Sequence, residues 1–221
     1  MMYSVKSISS FDCKDWLLHK HYARRIPPIE YAFGLYDNDK LIGVCTYGTP
    51  VSNALRQIYK QYKLIELNRL ITNDNLNKNA CSFFVSKTLK KLPKPFVIVS
   101  YADTSKNHNG YVYQASNFFY TGLSAKRIDY CIKGMEHLHS ASIYDLSRGK
   151  ENRIEWLKEK FGDDLYMKER PRKHRYFYFL GSKTQKKHMR KMLPYKVCEY
   201  PKGDNVNYDA SYTPNTQIKL L

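Results

Sequence analysis

The run Phe96-Val97-Ile98-Val99-Ser100-Tyr101-Ala102-Asp103 constrains the fold of this chain more than any other stretch. Its first half is continuously apolar and β-rich, of the kind found in a buried strand, and it then turns abruptly polar. This run and residues 176–180 are the longest apolar stretches, and both are far short of the roughly 20 residues a membrane span needs. A membrane protein is not expected.

The flanking chain alternates strand-like and helix-like segments. Asp12 can cap a short helix carrying Trp16 and Leu17, with Pro27 and Pro28 as breakers. Residues 31–36 and 41–47 read as strands joined by the turn Asp37-Asn38-Asp39-Lys40. Residues 64–71 form a third strand, and 80–92 a helix with Phe84, Leu89 and Leu92 on its apolar side. A helix over about 110–120 and a strand over 127–132 follow the central run. Residues 150–161 are the clearest amphipathic helix, with Ile154, Leu157 and Phe161 on one face and Gly162 as its stop. A strand at 175–180 and a basic helix at 184–192 complete the set. The order predicts an α/β (α+β) fold: a mixed sheet, antiparallel in its first half, with flanking helices. At roughly 100–200 residues per domain, the chain reads as one domain over 1–202 with a polar, flexible tail over 203–221.

Charge narrows the partner. The chain holds 37 Lys+Arg against 20 Asp+Glu, a formal +17. Residues 170–202 carry 11 Lys/Arg and one acid, interleaved with Tyr176, Phe177, Tyr178, Phe179 and Tyr195. Cations neutralise phosphates and aromatic faces stack on bases, so nucleic acid is the expected partner, against the plainer option of a merely solubilising face. The five scattered cysteines include no C-x-x-C pair, and the first residues have no apolar leader core. Both point to a reducing cytoplasm.

Asp103 stands where α/β sheets place ligand-binding acids, just beyond the carboxyl end of a strand, although an Asp there also serves as a helix cap. A polar loop with His108 and Asn109-Gly110 follows, and then Gln114 and Asn117 three apart on the expected helix, sharing a face.

Ser100-Tyr101-Ala102-Asp103, His108-Asn109-Gly110 and the block from Val112 through Tyr113, Asn117 and Tyr120 to Gly122 together resemble the signature of the Mom family of phage DNA-modification proteins. His21-Tyr22-Ala23-Arg24-Arg25-Ile26-Pro27 and Glu66-Leu67-Asn68-Arg69-Leu70 match the same pattern, and Gly134 to His139 resembles it more loosely. The resemblance spans about residues 19–140. It implies a centrally splayed, acetyltransferase (GNAT)-like sheet and conversion of adenine in double-stranded DNA to N6-carbamoylmethyladenine in the host cytoplasm, protecting phage DNA from restriction.

The resemblance also implies roles. Asp103, Tyr113, His21, Glu66 and Ser100 become the catalytic candidates. Acetyl-CoA or a related acyl-CoA is the implied cofactor, held by Arg69, Leu70, Ile71, Asn79, Ala80, Cys81, Ser82, Asn117 and Tyr120, with its pyrophosphate on the amides of a helix start. Residues 72–79 contain no glycine, where acetyltransferases carry a Gly-rich phosphate loop. Arg24, Arg25, Lys106, Arg172, Lys173, Arg175, Lys187 and Arg190 are candidates for holding DNA phosphates. Iron is linked to the family, with His21, Asp103 and His108 as the candidate ligands, and the H-x-H pairs His19/His21 and His137/His139 could share a face only on a strand. Two alternatives remain: an ordinary N-acetyltransferase, and a non-catalytic DNA-binding protein on the same fold, which the glycine-free loop would suit.

Overall fold

The structure, a computed structural model, describes residues 3–138 and 140–203. The tail beyond 203 and His139 of the second H-x-H pair lie outside the described residues. The strands are β1 (Tyr3–Ser7), β2 (Tyr31–Asp37), β3 (Lys40–Gly48), β4 (Lys63–Thr72), β5 (Phe96–Asp103), β6 (Phe119–Leu123), β7 (Arg127–Ile132), β8 (Leu165–Arg170) and β9 (Lys173–Leu180). The α-helices are α1 (Asn53–Ile58), α2 (Ala80–Lys91), α3 (Tyr111–Ala115), α4 (Ser140–Asp145), α5 (Arg153–Phe161) and α6 (Lys183–Lys191). Two compact units form: Met1–Leu123 with Lys173–Leu221, and Ser124–Arg172.

The first unit is a seven-stranded sheet in the order β1-β2-β3-β4-β5-β9-β6. Only β4 and β5 run parallel. The apolar run of β5 explains itself by period two: Phe96, Ile98 and Ala102 enter one core with Phe84 and Leu89 of α2. Val97 and Val99 enter a second core with Leu55 of α1 and Met189 of α6. Both faces are covered, so no polar residue is tolerated before Ser100.

β4 and β5 pair only from Lys63↔Phe96 to Leu67↔Ser100. Beyond that point β4 stays with β3 and β5 stays with β9. The sheet therefore splays at its centre, as expected of an acetyltransferase-like fold. Ser100 Oγ sits at the apex and donates to the Leu67 carbonyl at 2.9 Å.

The second unit pairs β7 with β8 into a ribbon beside α4 and α5, with Ile132, Ile143 and Leu157 buried. Arg170 Nε bridges both oxygens of Asp129 at 2.9 and 3.0 Å.

Three expectations need correction. The helix expected over 110–120 is only α3, because Asn117 turns left-handed at φ 61° and the chain then enters β6. Gln114 and Asn117 consequently share no helix face. Asp12 does not cap a helix: it accepts from Ser9 N at 3.0 Å, and the segment it precedes is a π-helical turn, Trp16–Lys20. β1, α1 and β8 carried no clear signal. β1 and β8 are short strands with few apolar positions, and α1 begins at a single Ser52 cap.

Candidate active site

A β-bulge builds the floor of the splay. Thr46 pairs with Arg69 but Tyr47 with Leu67, which leaves Asn68 as an extra residue in β4. The insertion resets the alternation, so Glu66 and Arg69, three apart, fall on the same face. Asn68 is pinned there: its Oδ1 accepts from Thr46 Oγ1 at 2.6 Å and its Nδ2 donates to Pro28 O at 2.9 Å. That second bond draws in the segment carrying His21. Gly48 permits the approach, since a Cβ there would lie 1.9 Å from Pro28 O.

Residues from four segments meet around this face. His21 is 7% exposed, and burial, reinforced by Arg69, His108 and Lys173, lowers its pKa to about 3. Its Nδ1 accepts from Ala23 N at 3.0 Å, so the neutral ring keeps its proton on Nε2. His21 stacks on Tyr22 at 4.4 Å, and Tyr22 meets His108 edge-on at 6.4 Å. Burial raises the Glu66 carboxyl to about 7 against the pull of Lys173 and Arg69. Register brings Lys173 opposite Asp103, with Nζ 3.7 Å from Oδ2. The other Asp103 oxygen caps the turn Thr104–Lys106, accepting from Ser105 N at 3.0 Å and Ser105 Oγ at 2.7 Å. Asp103 is therefore the cap foreseen for it, with its second oxygen turned to Lys173.

Arg69 is the unfinished member. Its Nη1 donates to the Asn68 carbonyl at 2.6 Å, while its Nε is buried without a partner among the described residues. No ion pair within 4.0 Å joins it to Glu66 among the described residues. An unpaired buried donor costs about 1–3 kcal/mol or more when charged, so this side chain is poised for an external acceptor.

Tyr113 approaches the apex from the opposite face of the sheet. Its phenol ring meets those of Phe118 and Tyr176, with centroids 5.4 and 5.3 Å away. Burial holds that phenol well above its usual pKa. The loop before α3 is braced by Tyr176, whose hydroxyl donates to Asn109 O, and by Gln114 Nε2, 2.9 Å from the same carbonyl. Gly110, at φ 73°, lies so close to the Tyr176 ring that a Cβ would fall 2.5 Å from it. Ser100 is fully buried at the junction and holds the two strands where they part.

The implied cofactor residues divide. The start of α2 stands at the end of β4, and no side chain caps it. Ser82 Oγ returns its proton to Asn79 O at 3.0 Å. Asn75 and Asn79, at φ 59° and 75°, take the left-handed turns that glycine would otherwise supply. Leu70 packs against the core beneath α2 and Cys81 Sγ lies 3.5 Å from Thr72 Oγ1, which holds the uncapped helix start at the end of β4, whereas Arg69 turns to the Glu66 face. Ile71 is in a separate core with Val44 and Leu17, and the Tyr120 phenol is 2.8 Å from His174 Nδ1. Asn117 lies toward the other end of α2, across a cavity that Lys90 also lines.

The implied DNA residues divide too. Arg24, Arg25, Lys106 and Lys173 belong to segments around the splay, and Lys106 Nζ lies 5.7 Å over Tyr22. Lys187 and Arg190 are exposed on α6. Arg175 is not a surface cation: it is 9% exposed, bonds Thr121 O and Oγ1 at 3.0 Å, and stacks 3.2 Å from the Tyr195 ring. Arg172 belongs to the second unit and donates to Ser124 O at 2.6 Å.

The iron ligands do not assemble. No three His, Cys, Asp or Glu side chains converge as a metal site among the described residues. His21 spends Nδ1 on Ala23, Asp103 is committed to Ser105 and Lys173, and His19 sits inside the π-helical turn that His21 follows.

Sequence reasoning missed Asn68 as the bulge residue and Lys173 as the partner of Asp103. A spacing of three on a strand argued against a shared face, and only the register across β5 and β9 places Lys173 beside Asp103.

Residues 2–202 match the Mom protein family. Methylcarbamoylase mom of Escherichia phage Mu is 29% identical over 207 residues, covering 90% of this chain and 83% of that one. Among solved structures, a GNAT family acetyltransferase from Bacillus cereus is 13% identical, covering 81% of this chain and 98% of that one at a TM-score of 0.43. One from Elizabethkingia anophelis, solved with acetyl-CoA bound, is 11% identical, covering 80% and 98% at a TM-score of 0.41.

Proposed function

The chain belongs to the Mom protein family, and from that membership we propose that it is a transferase that modifies adenine in double-stranded DNA, forming the N6-carbamoylmethyl base in the host cytoplasm. The observation that carries this is the unpaired Arg69 Nε among His21, Glu66, Asp103 and Lys173 at the splay. It is a buried polar site built to receive an acceptor-rich group rather than a closed core.

Adenine N6 is a poor nucleophile and must lose a proton as its new bond to carbon forms. Glu66, raised to about 7, is a base of the right strength near neutral pH. His21 stays neutral and can donate from Nε2 to a ring nitrogen or carbonyl. Asp103 and Lys173 fix the local charge. A base inside a duplex must first be flipped out to reach such a site. Tyr113, kept protonated by burial on the other face, can donate a hydrogen bond there.

An acyl-CoA, when bound, would be held through its phosphates by the start of α2 with Arg69 and would supply a carbonyl carbon activated as a thioester. That carbon by itself accounts neither for a methylene bond to N6 nor for the amide nitrogen, so the carbamoylmethyl product requires a second donor. A simple acetyl transfer would join N6 to a carbonyl carbon, whereas the carbamoylmethyl group joins through its methylene. Product identity is therefore the test. Nucleoside mass spectrometry of plasmid DNA from cells expressing the soluble chain should reveal the carbamoylmethyl nucleoside. N6-acetyladenine would support the ordinary acetyltransferase alternative, and wholly unmodified adenine would refute a DNA-modifying role.

A further inference from the structure

At the end of the sheet away from the splay lies a cavity of about 200 Å³ between α2, the turn after α3, the end of β9 and α6. We propose that it binds a phosphate group, as a site separate from the splayed end.

The lining chemistry is one-sided. Lys90, Lys94 and Lys186 come from three segments, and no Asp or Glu lines the cavity. None of the three lysines has a carboxylate within ion-pairing distance among the described residues. Three cations gathered around one concave surface repel each other unless an anion joins them. Ser116 provides an independent sign. It lines the same cavity, is 7% exposed, and its Oγ has no hydrogen-bond partner among the described residues. A native chain rarely leaves a buried hydroxyl unsatisfied. Asn117, held left-handed at φ 61°, adds an amide to the rim.

The group bound is a tetrahedral oxyanion, which takes lysine cations and hydroxyl donors together. A lone peptide carboxylate, with a single negative charge, would not need so many cations. Lys90 lies 11 residues beyond Asn79, about 16 Å along α2 from the helix start at the splay. The cavity is therefore not the phosphate position expected at that helix start. Its phosphate comes from one of two sources, a DNA backbone running past the sheet or a small phosphorylated molecule. The proposal does not depend on which reaction the splay carries.

The test is the triple variant Lys90→Gln, Lys94→Gln, Lys186→Gln in the full chain, beside a control removing the exposed Lys14, Lys40 and Lys60. Two readouts are needed: the salt dependence of affinity for a labelled 20-base-pair duplex, and the rise in melting temperature on adding inorganic phosphate. If the backbone is the source, the slope of log K against log salt falls by about 1 in the triple variant relative to the control. If a small molecule is the source, the slope stays unchanged and the phosphate-induced rise is lost in the triple variant alone. Ser116→Ala, which removes no charge, should weaken the same readout several-fold. Equal slopes and equal phosphate stabilisation in triple variant and control would overturn the proposal. Should the wild type bind no duplex, the DNA reading of the family site fails while the phosphate arm still decides this one.

Discussion

β9 and α6 are consecutive parts of one basic stretch, and they are opposite in what they do with their cations. In β9 the cations are engaged within the fold: Arg175 is buried between Thr121 and Tyr195, and Lys173 pairs with Asp103. Tyr176, Phe177 and Phe179 beyond them are core. In α6 a single residue, Met189, is buried, and the capping box Ser182/Gln185 starts a helix whose cations are open to solvent. A charged stretch therefore does not make one functional surface. Secondary structure decides, because a central strand turns every residue into one of two covered faces while a surface helix keeps most of its circumference wet. Lys173, named among the candidates for DNA phosphates, is thus also the ion-pair partner of Asp103.

The largest effect should come from β9 and its neighbour. Lys173→Gln and Asp103→Asn should each reduce product formation about 10²–10⁴-fold, measured as modified nucleoside per unit of soluble protein. Asn keeps the acceptor for Ser105, so a lost fold would not explain the loss. Lys173→Gln should also move the rise of rate with pH upward, because the cation that restrains the Glu66 carboxyl is gone.

Arg175→Ala tests the buried half of the same strand. It should cost about 2–3 kcal/mol by leaving Thr121 O unpaired and removing the Tyr195 stack, which lowers Tm by roughly 5–10 °C in a scanning melt. Its effect on the salt slope of DNA binding should be nil. A reduced slope at unchanged Tm would return Arg175 to the DNA surface.

Glu66 and His21 give opposite pH dependences. Glu66 is raised from 4.5 to about 7, so its contribution is complete below about pH 4.5 and lost as pH climbs through 7. His21 is lowered from 6.5 to about 3, so its contribution is present above 6.5 and lost as pH falls toward 3. Glu66→Gln should raise stability at pH 8 by roughly 1–3 kcal/mol while removing activity, and His21→Gln should flatten the acid limb instead. Denaturant melts across pH 3–9 separate the two.

The smallest effect belongs to α6. Lys183→Gln, Lys187→Gln and Lys191→Gln together should weaken duplex binding up to about tenfold and reduce its salt slope, with the product unchanged in kind.

How much of this was legible follows the same logic. β5 was readable because an unbroken apolar run ending in polar residues has few structural uses. The α2 start was readable from the break at residues 72–79. The bulge at Asn68 was not, since it depends on pairing with β3 rather than on any local preference. The truncation of α3 was not, because Asn117 can continue a helix or end it, and here β6 and its partner β9 decide. Asp103 was legible from its place at the end of a buried strand, while His21, Glu66 and Tyr113 were named from their resemblance to a motif. Their meeting at one gap needed the splay of β4 from β5.

If the splayed end performs the chemistry, the exposed helix is dispensable for it. The decisive comparison is nucleoside mass spectrometry on DNA from cells expressing Lys173→Gln or Lys187→Gln, at matched soluble levels beside the wild type. Modified adenine is expected in the wild type and Lys187→Gln samples and should be nearly absent with Lys173→Gln. Full modification by Lys173→Gln, or its loss with Lys187→Gln alone, would contradict this assignment.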